Sequence, residues 1–358
     1  MAGNRRWGKG LALGAALAGL AWWVSAGGRF SEEGQAGPRD HHGDGEFHNR
    51  YGGDIGKGSW EVLKWQFSRK SPPLPDPPLP RGQFERDAAL PNVTWIGHAT
   101  ALVRTQSLTV LTDPHFSERA SPVSWAGPKR LQPPGVALAD LPHVDVVLIS
   151  HNHYDHLCCG TLRRLRDAGQ SPRFVVPLGL ADWFIQRGMG PVTALNWWEH
   201  TDIAPGVRVV FTPSQHWSRR TPWDTNASLW GGYLLEWARP QAAAPWRFLF
   251  PGDTGYSEDF KAIRQRLGPV DFLALPIGAY LPRDFMKPMH VNPEDAVQLM
   301  LDVEARQAMG VHWGTFMLTQ EAFDHPPRDL AAALAQRGLP LDRVWLLRQG
   351  ETRAIPLP

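Results

Sequence analysis

From residue 91 onward the chain reads as short apolar runs broken by turn residues. The runs at 93–96, 101–103 and 108–111 are separated by Gly, His, Thr and Asp, which predicts strands in a meander at the start of a sheet. A Pro/Gly-rich loop follows at 121–135, too long to be a simple connection. The run at 144–149 is apolar and β-branched and ends abruptly in polar residues, the pattern of a buried strand delivering a loop. Helical spacing at 160–168 and 179–187 brackets a strand at 173–176. The second half repeats the texture. Strands are expected at 207–212, 229–237, 246–250, 271–275, 307–311 and 344–347, and helices at 258–267, 293–304 and 329–337. Alternating strands and helices place the chain in the α/β class.

The N-terminal ninety residues have a different texture. Arg5, Arg6 and Lys9 precede an apolar stretch from Leu11 to Val24, with small residues Ser25 and Ala26 after it. That order predicts a signal peptide or membrane anchor over 1–30. Residues 31–90 are expected to form a Gly/Pro-rich tether and N-terminal extension, with 31–46 flexible and a short helix at 59–67. The main body is then assigned to 91–358. This leader points to an exported or membrane-associated protein, on the periplasmic face if the source is bacterial.

Composition changes this picture little. With 358 residues, 42% of them hydrophobic, the chain can bury a sizeable core. A formal net charge of +2 and the absence of long basic runs give no reason to expect nucleic acid as a partner. The two cysteines, Cys158 and Cys159, are neighbours, so no disulfide framework exists, and small packing residues are expected there.

Chemistry enters at His151-Asn152-His153-Tyr154-Asp155-His156. Three of the chain's 14 histidines fall in these six residues, at the end of a predicted strand. Imidazole and carboxylate are the ordinary ligands of zinc and related divalent metals. Residues two apart in extended chain point the same way, so His151 and His153 can grip one metal while Asp155 and His156 turn toward a second. Three further predicted strands end in a donor: His216, Asp253 and His312. Donors at strand ends can converge on one edge of a sheet sandwich. On this count His151, His153 and His216 serve one metal, Asp155, His156 and His312 the other, and Asp253 bridges. Open positions on each metal mark a catalytic site. Two metals can share one hydroxide, generate it near neutral pH and clamp both ends of a displacement. Asp113 is a candidate to hold a ligating imidazole in one tautomer, and His98, at a strand end after Gly97, is a candidate to support a ligand. His115, His143, His200 and His325 read as ordinary loop residues.

The motif His151-x-His153-x-Asp155-His156, with His216, Asp253 and His312, resembles the metallo-β-lactamase superfamily. The segments 94–100, 111–114, 119–122, 127–130, 148–157, 176–180, 211–217, 252–256, 276–280, 285–290 and 311–316 are more specific. They resemble the N-acylphosphatidylethanolamine-hydrolysing phospholipase D family over about Gly45 to Arg353. The resemblance implies an αββα sandwich with two zinc ions at one edge of the sheets. It also implies hydrolysis of N-acylphosphatidylethanolamine to an N-acylethanolamine and phosphatidic acid. Asp155, His156, Asp253 and His290 would be catalytic, and His290, Gln215 and Tyr154 would contact substrate. The partner would be a phospholipid at a membrane surface, with a homodimer allowed. The alternative is another phosphodiester, or a lactone, on the same fold. A di-iron oxidoreductase would carry a carboxylate in place of His153 and a flavin domain, and the sequence has neither.

Overall fold

The computed structural model describes residues 42–43, 45–51, 79–240 and 242–358. The expected leader, most of the tether and the expected helix at 59–67 lie outside the described residues. A small hairpin (β1, His42–Gly43; β2, Glu46–Phe47) comes first. Six strands then build most of one sheet: β3 (Asn92–Gly97), β4 (Thr100–Arg104), β5 (Thr109–Thr112), β6 (Val146–Leu148), β7 (Arg173–Pro177) and β8 (Val192–Leu195). A second sheet is made of β9 (His200–Ala204), β10 (Val207–Thr212), β11 (Gly232–Trp237), β12 (Trp246–Phe250), β13 (Phe272–Pro276), β14 (Gln307–Val311) and β15 (Val344–Trp345). The last strand, β16 (Thr352–Ala354), returns to pair with β3, so each sheet has seven strands.

Alternation along these strands sorts their side chains into layers. Val93 and Trp95 of β3 face the second sheet and pack with Phe211, Tyr233, Phe248 and Phe250 in the central core. Ile96 and Leu102 face the opposite way. There they meet Leu162 and Leu165 of α1 (Cys159–Asp167) and Phe184 of α2 (Ala181–Ile185). The outer face of the second sheet, through Leu234, Leu249 and Leu273, is covered by α3 (Asp259–Leu267), α5 (Pro293–Asp302) and α6 (His325–Gln336). A short α4 (Arg283–Met286) lies between α3 and α5 in sequence. This is the αββα sandwich. Burial of each large aromatic side chain in its centre contributes roughly 2–3 kcal/mol.

The strand directions decide where donors can meet. β3 and β5 are both antiparallel to β4, and β5, β6 and β7 run parallel, so β3, β5 and β6 all end at one edge. In the second sheet β10 and β12 are both antiparallel to β11, and β13 and β14 are parallel to β12. At the edge the sheets are stitched together. The Tyr233 hydroxyl donates to the carbonyls of Ile149 (2.8 Å) and Val175 (3.1 Å), and the His312 N–H donates to the His98 carbonyl (3.0 Å).

Two elements differ from expectation. β8 and β9 were not foreseen; β9, with exposed His200 and Asp202, is an edge strand whose polar residues suit solvent but hide its pattern. The chain also packs onto the body before residue 91. Phe47 is buried in the central core, and Arg81 bridges to Gln349. Both cysteines are free thiols, and Cys158 precedes α1 with its Sγ between the hydroxyls of Ser117 and Thr161, each 3.2 Å away. His115 is not a loop-surface residue: it is fully buried, edge-on to Phe316 at 4.9 Å. Among the described residues no helix is long and apolar enough to cross a membrane.

Candidate metal centre

Six strand ends deliver the site: His98 after β3, Asp113 after β5, His151 to His156 after β6, His216 after β10, Asp253 after β12 and His312 after β14. The turn into Asp253 requires Gly252. Its φ is +65°, and a Cβ there would lie 2.6 Å from the Ser150 Cβ and 2.8 Å from the Gly231 carbonyl. His98 (φ 54°), Asp113 (φ 33°) and His312 (φ 62°) also hold positive φ without being glycine. Such strained backbone gathers where a fold over-determines a functional side chain.

The donors form two groups. In the first, His151 Nε2 lies 2.8 Å from His153 Nδ1, and His216 Nε2 lies 3.3 Å from the same atom. In the second, Asp155 Oδ2 lies 3.3 Å from His156 Nε2 and 3.5 Å from His312 Nε2. Asp253 Oδ2 joins the two: it is 3.1 Å from both His156 Nε2 and His312 Nε2, and 4.0 Å from His216 Nε2. Each group satisfies the spacing of ligands around one divalent ion. The structure thus brings all seven sequence-predicted ligands together in one cluster.

Their surroundings fit a metal. Polar atoms buried in a protein find partners as a rule, yet His153 Nε2, His156 Nε2, both ring nitrogens of His312 and Asp253 Oδ1 are buried without a hydrogen-bond partner. The far sides of three rings are fixed: His151 Nδ1 on Ser150 Oγ (2.9 Å), His156 Nδ1 on Asp113 Oδ2 (2.6 Å) and His216 Nδ1 on the Met289 carbonyl (2.9 Å). Each such contact leaves Nε2 aimed inward, the usual arrangement of a ligating histidine. Asp113 is held in turn by the Ser150 N–H (2.7 Å) and hydroxyl (2.5 Å). His98 Nε2 donates to Asp155 Oδ2, 2.9 Å away, and the His98 ring is tilted against His312 with centroids 4.1 Å apart. Ser150 and the Met289 carbonyl were missed by the sequence reading; a serine beside a ligand and a backbone oxygen carry no recognisable signal.

The three expected substrate contacts separate. His290 sits at the rim of the cluster, its Nδ1 3.9 Å from Asp253 Oδ2 and its side chain 14% exposed. The Tyr154 hydroxyl donates to the Arg220 carbonyl (2.9 Å) and its ring lies beneath the Arg220 guanidinium. Gln215 is tied to the neighbouring loop. It is buried, and its Nε2 donates to the Pro288 carbonyl (3.1 Å), tying the His216 loop to the His290 loop.

The electrostatics divide the histidines in the same way as the geometry. Burial lowers His151 and His153 well below the ordinary imidazole value, His216 to about 4 and His290 to about 3. Burial opposes protonation of His156 and His312 too, but Asp253 and Asp155 outweigh it. His156 is held well above its ordinary value, and His312 is raised to about 9. Burial disfavours the charged carboxylates of Asp155 and Asp253, and the neighbouring His156 nonetheless brings both well below the carboxylate range. At neutral pH the first group is neutral and ready to ligate, whereas His156 and His312 carry protons that a metal must displace.

Loading the metal-free protein with zinc near neutral pH is therefore expected to release about two protons, from His156 and His312. Affinity at their group should climb as pH rises toward about 9, the raised value of His312, and fall on acidification. The His151/His153/His216 group should keep its affinity to lower pH. In the metal-free protein the sign is reversed: stabilisation by protonated His312 is complete below its unfolded value and lost as pH rises through about 9. Calorimetric titration in buffers of different ionisation enthalpy reads the proton count. Zinc uptake without proton release would contradict these protonation states.

Comparison with known proteins agrees with the fold. A family model described as a β-lactamase superfamily domain matches residues 109–313. Among solved structures, a metallo-hydrolase, Igni18, from Ignicoccus hospitalis superposes with a TM-score of 0.55 at 20% identity, covering 75% of this chain and 99% of its own. The chain is 41% identical over 245 residues to N-acyl-phosphatidylethanolamine-hydrolyzing phospholipase D 1 of Caenorhabditis elegans, covering 66% of this chain and 67% of the relative. It is 37% identical over 264 residues to the mitochondrial protein of that name in Saccharomyces cerevisiae, covering 72% of this chain and 55% of the relative. The protein is a metal-dependent hydrolase of the metallo-β-lactamase superfamily. Within the superfamily it belongs to the family of the N-acyl-phosphatidylethanolamine-hydrolysing phospholipases D.

Proposed function

We propose that the protein is a zinc-dependent phosphodiesterase of the phospholipase D type. It cleaves N-acylphosphatidylethanolamine with water, breaking the phosphorus–oxygen bond to the head group and yielding phosphatidic acid and an N-acylethanolamine. The observation that carries this reading is the convergence of two donor groups on the shared Asp253 oxygen, in a chain 41% identical to a relative of that name. His151, His153 and His216 would hold one zinc ion, Asp155, His156 and His312 the second, and Asp253 both. Bound there, two zinc ions supply a water acidic enough to attack at neutral pH and positive charge for the phosphoryl oxygens. No side-chain nucleophile is needed. Asp253 remains an anion with its buried Oδ1 free of hydrogen-bond partners, the state in which it would hold both ions. His290, neutral and at the rim, would donate a hydrogen bond to a phosphoryl oxygen.

A lipid substrate is supported by the wall beside these groups. Trp217 and Phe285 pack with Met286 and Met289, and the Trp217 ring stands 4.7 Å from His153. Contact with a membrane is supported by Trp125 and Trp223, 64% and 70% exposed, on the loops that leave β5 and β10 at the metal edge; tryptophan is favoured at lipid–water interfaces. The apolar stretch 11–24 offers a second attachment.

The test is to present N-acylphosphatidylethanolamine in vesicles to the zinc-loaded protein and measure N-acylethanolamine and vesicle co-sedimentation together. Product release with 1:1 phosphatidic acid is expected. Turnover of another phosphodiester or a lactone, with none of this lipid, would overturn the substrate. Co-sedimentation that drops on deletion of residues 1–30 would make that segment the anchor, and unchanged co-sedimentation would assign it to the body.

A further inference from the structure

We infer that Asn49 is a positioning residue for the metal centre, a strap from the N-terminal extension that sets the backbone of the ligand His216. The inference rests on the metal-centre reading above and not on the choice of substrate. His216 lies on the loop after β10, buried, with its backbone outside any strand pairing. Asn49 takes up both of its backbone groups. The His216 N–H donates to Asn49 Oδ1 (3.0 Å), and Asn49 Nδ2 donates to the His216 carbonyl (2.8 Å). The Trp230 indole N–H is shared between the Ser214 carbonyl (3.0 Å) and the same Oδ1 (3.2 Å), and a flipped amide would set donor against donor at both Trp230 and the His216 N–H. Across the loop, the Met289 carbonyl meets His216 Nδ1. Backbone and ring are thus held from two sides, and Nε2 has one direction left, toward His153 and Asp253.

The strap itself is anchored on both sides of Asn49. Phe47 inserts into the core between the sheets, and its N–H donates to the Asn226 carbonyl (2.9 Å) on the same long loop. Arg50 pairs with the buried Asp259 at 3.1 Å. Only an amide fits the middle position. Aspartate would bring its second oxygen against the His216 carbonyl, and alanine reaches neither group. The geometry gives the N-terminal extension a task that its composition hides: it completes the support of a ligand 167 residues away in sequence.

The experiment measures zinc alone, by competition with a chromogenic chelator, on the full chain. Asn49→Ala is expected to weaken retention of one ion by roughly 10–100-fold, the usual cost of removing a group that orients a ligand. Arg50→Ala, which loosens the strap but leaves Asn49, should lower the melting temperature of the metal-free protein without changing zinc affinity. Asn49→Asp keeps the two bonds that Oδ1 accepts, so it preserves folding, and is expected to fall between wild type and Asn49→Ala. It carries the test if the alanine variant does not fold. Wild-type zinc affinity in the Asn49 variants, or an equal loss in Arg50→Ala, would overturn the assignment. A wild-type protein that takes up no zinc would instead overturn the metal-centre reading.

Discussion

Asp253→Ala is expected to lower turnover on the order of a thousandfold or more, with the far-ultraviolet circular dichroism of the folded protein retained. One oxygen of this carboxylate lies within reach of three histidines from both donor groups, 3.1 Å from His156 and His312 and 4.0 Å from His216. Its removal takes away the shared negative charge that would keep two cations close, and also the charge that holds His156 and His312 protonated in the metal-free state. His156→Ala should have the same effect on turnover, because that ring touches Asp113, Asp155 and Asp253 at once. Either variant retaining activity within tenfold of wild type would contradict the two-metal assignment. Zinc content measured on the same samples separates loss of metal from loss of chemistry.

Asp113→Ala is expected to be the most destabilising change near the site. The carboxylate is fully buried and accepts from the Ser150 N–H, the Ser150 hydroxyl and His156 Nδ1. Truncation strands all three donors in a dry interior, at a cost of about 3–5 kcal/mol. It also frees the His156 ring to turn, so zinc affinity at that group should drop about 10–100-fold. Urea unfolding with the zinc competition assay reads both quantities. A variant that loses stability but binds zinc as tightly as wild type would show that Asp113 only packs and does not orient.

Much of this protein was legible in the sequence because its ligands are local or sit at strand ends. The spacing of His151, His153, Asp155 and His156 is a short-range signal, and the strands before His216, Asp253 and His312 have apolar patterns strong enough to read. The central strands are buried on both faces and therefore apolar throughout, as in β13, where all five residues are buried. The edge strand β9 was not legible because its partly exposed face accepts polar residues. Tyr154 and Gln215 stand next to ligands in sequence, and sequence alone does not show that the Tyr154 hydroxyl and the Gln215 Nε2 donate to the backbone carbonyls of Arg220 and Pro288.

The sequence by itself determined the α/β class and marked the seven candidate donors, because residue type and local periodicity suffice for those. The tertiary structure alone decided what supports them. That Asp113 turns His156, that the Met289 carbonyl and Asn49 fix His216, and that His98 meets Asp155 are contacts between segments 43, 73, 167 and 57 residues apart. Such contacts depend on which strands run parallel and how the sheets face, and local pattern does not encode them. The same holds for protonation. His151 and His312 are the same side chain in the sequence. Burial among other imidazoles leaves one neutral, and a pair of carboxylates keeps the other charged.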